Sequence, residues 1–209
     1  MLEDILTYGV SWEKEATSPV CTRIGNPLLH KELPIQSQYK GCVYDFASGE
    51  FKYWLDQNDW SLKMDGTPSV LDGTDGDVCV HTPKFYGKSG EKDGKYWVKI
   101  STSKIDDSWI EIPEMYVGAY RSTVDRTNNK ARSIINTTVQ FRGGYNSADY
   151  DTYLETDPFR TLLGKPATNI SRDNMRIYCR NNNSEMLSYE QYKWIFYWNY
   201  VIEYANFNS

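Results

Sequence analysis

The stretch from Ser188 to Ala205 constrains this chain more than any other. Ser188 is followed three positions later by Gln191, the spacing of a capping box, in which each side chain satisfies a backbone N–H at the start of a helix. From Tyr192 onward, Ile195, Phe196, Tyr197, Trp198, Tyr200, Val201, Ile202 and Tyr204 leave almost no polar face. A helix apolar nearly all round has to be buried on several sides. Its cover comes either from earlier strands of this chain or from another chain. Upstream, Thr168 to Cys179 reads as a shorter helix and Arg180-Asn-Asn-Asn-Ser184 as a polar loop. Asn181, Asn182 and Asn183 suit a helix end, because Asn tolerates positive φ.

With 209 residues and 40% hydrophobic content, the chain is long enough for one or two domains with a real core. Its net charge of −5 comes without a Lys/Arg cluster, which argues against nucleic acid as a partner. No run approaches the roughly 18 consecutive apolar residues of a membrane span. The opening Met1-Leu-Glu-Asp-Ile-Leu-Thr7 has none of the parts of a secretory leader, so synthesis in a cytoplasm is expected. The 17 Tyr, 7 Trp and 7 Phe read for the larger part as strand formers and for the rest as sugar- or partner-facing surface.

Residues 1–113 read as a β-rich domain of short antiparallel strands. Val43-Tyr-Asp-Phe46 and Phe51-Lys-Tyr-Trp-Leu55 form a hairpin across Ser48-Gly49, and Asp77 to His81 alternates as a strand. Lys84-Phe-Tyr86 and Tyr96 to Ile100 flank Gly87 to Gly94, which is polar enough to be an exposed loop. Met115 to Tyr120 and Ser133 to Asn136 are partner strands around a polar turn, Asp125 to Lys130. With its helices gathered in 114–209, the chain is α+β rather than alternating βαβ.

Specific catalytic patterns are missing from the sequence. Asp72-Gly-Thr-Asp-Gly-Asp77 lacks the terminal Glu of a calcium loop, so a tight turn is the better reading. Cys21, Cys42, Cys79 and Cys179 match no zinc spacing. Cys79 and Cys179 read as buried residues, and a Cys21–Cys42 bridge stays open. His30 and His81 stand alone. Asp106/Asp107, Glu111/Glu114 and Asp149/Asp151 are the carboxylate pairs from which glycoside hydrolysis could draw, but any acidic chain offers such pairs. No metal, cofactor or catalysis is expected.

Three segments follow one another in a recognisable order: Asp77-Val-Cys-Val-His-Thr-Pro-Lys-Phe-Tyr86, Tyr96-Trp-Val-Lys-Ile-Ser101 and Met115-Tyr-Val-Gly-Ala-Tyr120. With Thr22 to Asn26, Leu33 to Gln36 and Gly41-Cys42 upstream, they resemble phage tail-fibre and related gut-phage surface proteins. Leu163 to Ser171, Leu187 to Trp194 and Glu203-Tyr-Ala205 are similar to the opening helices of the C-type-lectin-like fold. That fold is shared by formylglycine-generating-enzyme-like proteins and phage tropism determinants. The ligand-facing loops and catalytic cysteines of that fold follow its second helix, and no position here matches them. The resemblance therefore implies an incomplete lectin-like region over 114–209 and transfers no functional residue. It implies a virion surface protein, of the fibre or spike type, that recognises a host glycan or outer-membrane protein. The alternative is a structural virion component (head-fibre, neck or decoration protein) docking through its terminal helix. Other virion proteins and further copies of the chain are the expected partners. Tyr145, Tyr150, Tyr153, Asn181, Asn182 and Asn183 are the candidate ligand-binding residues. Trp194, Tyr197, Trp198 and Val201 are the candidate docking residues.

Overall fold

The computed structural model describes residues 2–143, 156 and 162–208. The fold is α+β. Its strands are β1 (Tyr8–Glu13), β2 (Thr22–Gly25), β3 (Lys40–Asp45), β4 (Glu50–Trp54), β5 (Asp77–Thr82) and β6 (Phe85–Lys92). They continue as β7 (Lys95–Ser101), β8 (Ile110–Ile112), β9 (Met115–Gly118), β10 (Thr123–Asp125) and β11 (Lys130–Arg132). The helices are α1 (Leu2–Leu6), α2 (Pro27–Glu32), α3 (Arg172–Asn181), α4 (Tyr189–Tyr192) and α5 (Asn199–Tyr204), the last two joined by a π-helical turn, Lys193–Trp198.

The compact units do not follow the expected division at residue 113. One unit is built from Met1–Tyr39, Thr82–Met115 and Leu187–Ser209, the other from Lys40–His81 and Tyr116–Met186. The terminal helix thus leaves the segment that precedes it and joins the N-terminal strands, because those strands carry the apolar face it needs. Nor is the first part free of helix. Asn26 caps α2 by accepting a hydrogen bond from the Leu28 N–H, with Pro27 at the first helical position, an Asn-Pro start whose φ is already helical.

Unit 1 contains a five-stranded sheet of order β2-β1-β7-β6-β8. The expected loop Gly87 to Gly94 is instead mostly strand: β6 runs on to Lys92 and turns at Asp93 and Gly94, whose φ values are 50° and 78°. Asp-Gly with both residues at positive φ is the two-residue turn that matches strand twist, so a polar sequence is carried as a solvated hairpin. The turn fixes three rows across the sheet's inner face: Tyr8–Ile100–Gly87, Val10–Val98–Ser89 and Trp12–Tyr96–Glu91. On the first two rows lies the core, in which Tyr8, Val10, Phe85, Val98 and Ile100 meet Trp194, Ile195, Val201 and Ile202 of the terminal helix. Each such side chain removed from water contributes roughly 1.5–3 kcal/mol.

The sequence's choice of cover is therefore settled for the buried face, which this chain's own strands wrap. The capping box forms as read, with Ser188 and Gln191 bonded reciprocally. The π-helical turn was not read, since it leaves no hydrophobic period. It widens the helix and frees carbonyls, and Asn199 answers them: its Nδ2 donates to the carbonyls of Trp194 at 2.9 Å and Ile195 at 3.1 Å. The Tyr39 hydroxyl donates to the Ile195 carbonyl at 2.9 Å. Burial pushes the Tyr8 and Tyr39 phenols above their ordinary value.

Unit 2 holds the sheet β4-β3-β5-β9 and the hairpin β10-β11. The β3–β4 hairpin and the turn after Asp125 form as read. The strand expected at Ser133 to Asn136 lies earlier, at β11, because Ser133 leaves the ladder to bond Asp77 and Val78. One face packs Val43, Leu55 and Val78 with Tyr53, Trp60 and Tyr120.

In unit 1 the Trp194 ring sits on the backbone of Gly87, where an added Cβ would lie 2.3 Å from Cζ3. Gly87→Ala should therefore destabilise the chain by about 1–3 kcal/mol through overpacking, readable as a lowered urea midpoint. An unchanged midpoint would show that the ring is not seated there.

Candidate functional site

Three assemblies of side chains are candidates: a carboxylate network and an aromatic face in unit 2, and an aromatic cleft in unit 1. The network centres on Asp77, which is buried. Its carboxylate accepts Arg132 Nε at 3.0 and 3.1 Å, the Ser133 N–H at 2.6 Å and Asn182 Nδ2 at 3.1 Å. Arg132 also donates to the carbonyls of Gly73 and Gly76. The other aspartates of the loop point elsewhere: Asp72 accepts the Thr74 N–H, and Asp75 accepts the Tyr53 hydroxyl at 2.9 Å. Hydrogen bonds from Thr74 hold Asp72 below the usual carboxylate range. The loop is thus a turn pinned to β11, as its spacing suggested. Among the described residues no group of three or more His, Cys, Asp or Glu could hold a metal ion.

This network corrects part of the sequence-derived site. Asn182 is buried and donates to Asp77 and to the Ala131 carbonyl, so it does not face a ligand. Asn181 donates to the Asn129 carbonyl and Asn183 to the Ala47 carbonyl. The three act as a helix end and clamp, with Asn183 at φ 48°. Tyr145, Tyr150 and Tyr153 lie outside the described residues, as do Asp149 and Asp151. Trp194 and Val201 are core residues, which removes them from the docking set, whereas Tyr197 and Trp198 stay partly exposed. Asp106 accepts hydrogen bonds from Ser108, which hold it below the usual range, and Asp107 pairs with Lys104 at 2.7 Å.

The second assembly crosses four strands of unit 2. A register shift between Val43 and Tyr44 brings Phe51 and Trp54, three positions apart, to ring contact at 4.7 Å. Trp54 meets His81 edge-on at 5.4 Å, His81 meets Tyr116 at 5.4 Å, and Tyr116 stacks on Tyr44 at 4.2 Å. Of these contacts the Tyr44–Tyr116 pair is face to face, and Phe51 stays 39% exposed. The register partners Cys42 and Cys79 are both buried. Burial pushes the Cys42 thiol up to about 12, and the Cys79, Cys21 and Cys179 thiols upward as well. All four cysteines are free, so the Cys21–Cys42 bridge does not form.

The third assembly is different because it is open. In the row Trp12–Tyr96–Glu91, the inner face of the unit 1 sheet continues past the core. Trp12 lies 6.0 Å from Tyr96 and 5.7 Å from Trp198, and meets Phe207 edge-on at 5.0 Å. With Ser89, Glu91 and Trp97, the rings of Trp12, Tyr96 and Trp198 line a cleft of about 340 Å³, near the lower end of the range for ligand clefts, roughly 300–1,000 Å³. Tyr96 is 41% exposed. Lys14 ion-pairs with Glu91 and stands 5.3 Å over the Tyr96 ring. Sequence reading missed Trp12, Glu91 and Tyr96. The signal was Asp93-Gly94, which as a two-residue turn sets Glu91 opposite Tyr96. A smaller groove of about 240 Å³ in the same unit runs between Ile110, Ile112, Met115 and Trp194.

No known family pattern matches the chain, and comparisons with curated proteins and with solved structures give no match. No helix among the described residues is long and apolar enough to cross a membrane.

Two outcomes follow from this geometry. Arg132→Ala removes the ion-pair partner of the buried Asp77, and should cost about 3–5 kcal/mol in denaturant unfolding, against about 1–3 kcal/mol for Asn182→Ala. Equal, small losses would mean that the network does not hold the turn. Titration with a thiol-reactive chromogenic disulfide should be slow in the native state and reach all 4 cysteines of the chain in denaturant. Two reactive thiols in denaturant would reveal a bridge.

Proposed function

We propose that this chain is a non-catalytic virion surface component, of the fibre or spike kind, that recognises a bacterial host surface. The observation that carries this reading is the open cleft of Trp12, Tyr96 and Trp198. Aromatic residues with a polar tip are the side chains that recognition surfaces favour. The ordered resemblance to phage fibre proteins supports it. So does the state of Asp106 and Asp107, whose carboxylates are engaged at an exposed turn rather than opposed across a cleft. Display as a homo-oligomer would raise the avidity of weak single sites.

One observation favours the structural alternative. The terminal helical segment exposes Tyr189, Tyr192 and Tyr204, at 73%, 50% and 53%, aromatic surface that another virion protein would cover. Gold-labelled antibody on the parent phage particles separates the two. Label at fibre tips or baseplate is expected for recognition. Label on capsid or neck would replace that reading with the structural one, and unlabelled particles would end both.

A further inference from the structure

We infer that the Trp12–Tyr96–Trp198 cleft of unit 1 binds an uncharged pyranose ring of a surface glycan. The inference rests on the recognition reading above and deepens it. Three features select this ligand class.

The first is the shape and chemistry of the walls. Trp12 is in ring contact with Tyr96, Trp198 and Phe207, which fixes it in place, and the half-exposed Tyr96 ring beside it carries the Lys14 ammonium 5.3 Å from its centroid. A pyranose presents a face of C–H groups to such a ring while its hydroxyls stay at the rim. Apolar walls with a few placed polar groups are the common composition of small-ligand sites. Here the polar groups are the Ser89 hydroxyl and the Glu91 carboxylate, both on β6; Glu91 Oε1 is taken by the ion pair with Lys14, and the second carboxylate oxygen is the acceptor for a sugar hydroxyl.

The second feature is charge. Lys14 is committed to Glu91, and Lys95, on the same hairpin, to Glu13 at 2.9 Å. Each of these cations is matched by an anion, so they offer no clamp for the carboxylate of a uronic or sialic acid. A neutral ring fits this balance better.

The third is rigidity. Trp12, Tyr96 and Glu91 sit on paired strands in one register row, not on loops. Sites built on strands hold their geometry and spend little entropy on binding. By contrast, Tyr44 and Tyr116 of unit 2 stack on each other.

The test is ligand-observed saturation-transfer NMR on the full chain. The probes are the methyl glycosides of glucose, galactose and mannose, with methyl glucuronide as the charged control. In parallel, the fluorescently labelled chain is applied to cells of the phage's host. Saturation of ring C–H protons in at least one neutral glycoside is expected, with a weaker signal from the glucuronide. Tyr96→Ala should weaken that binding by about two- to tenfold, the scale of a lost aromatic stack, and Tyr96→Phe should retain most of it. Glu91→Gln, on the exposed hairpin, is the second variant should Tyr96→Ala fold poorly, and it should also weaken binding. Absence of saturation from every neutral glycoside overturns the inference, as does binding indifferent to both Tyr96→Ala and Glu91→Gln. Stronger binding of the glucuronide overturns the choice of an uncharged ring. Cell binding without glycoside binding overturns the cleft while recognition stands. Glycoside binding without cell binding keeps the cleft and removes host recognition.

Discussion

The Trp194 indole sits against the backbone of Gly87, and unit 1 is organised around that contact. A side chain at position 87 would lift the helix off the sheet. Without the π-helical turn, the helix would not present Trp194 and Ile195 inward while also delivering Trp198 to Trp12. Asn199 makes the turn tolerable by donating to the carbonyls it frees, since an unpaired buried carbonyl costs about 1–3 kcal/mol. Core and cleft are therefore parts of one arrangement. The same helix that closes the first two rows of the sheet reaches the third only through Trp198 against Trp12, and Tyr96 beside it stays 41% exposed.

Glycine plays this part more than once. Trp60 lies over Gly41 in unit 2, and Trp97 over Gly90 in unit 1, with an added Cβ at 2.6 Å from the ring in both cases. Large flat rings seated on bare backbone let a short strand carry a wide apolar cover. This is one reason a chain so rich in Tyr and Trp packs short strands without long aliphatic stretches.

Much of this was legible in the sequence where local chemistry decides the outcome. Ser188 and Gln191 fixed a helix start, Asn181 to Asn183 a helix end, and Asp72 to Asp77 a turn. The α+β class followed from strands preceding helices. What was not legible depends on distant partners. Nothing near Asn182 announces that its amide will be consumed by Asp77, 105 positions away. Trp194 and Val201 read as an uncovered surface because their cover, Gly87 and the β1 and β7 strands, lies far upstream. The cleft was hidden for a more local reason. The polarity of Lys88 to Lys92 outweighed the Asp93-Gly94 turn signal, and without the hairpin register Glu91, Tyr96 and Trp12 do not fall into line.

The interleaving of the two units reverses their order of completion. Unit 1 begins with the first strands of the chain, yet its core needs Trp194, Ile195, Val201 and Ile202. Unit 2 begins later and has all of its residues by Met186. During synthesis the inner face of the first sheet, with Tyr8, Phe85 and Ile100 upon it, must therefore wait in water while the rest of the chain is made. An apolar sheet face held open is the kind of surface on which nascent chains aggregate. The solvated Lys88–Lys95 hairpin, with its charged residues at the sheet's end, keeps that waiting face bordered by charge.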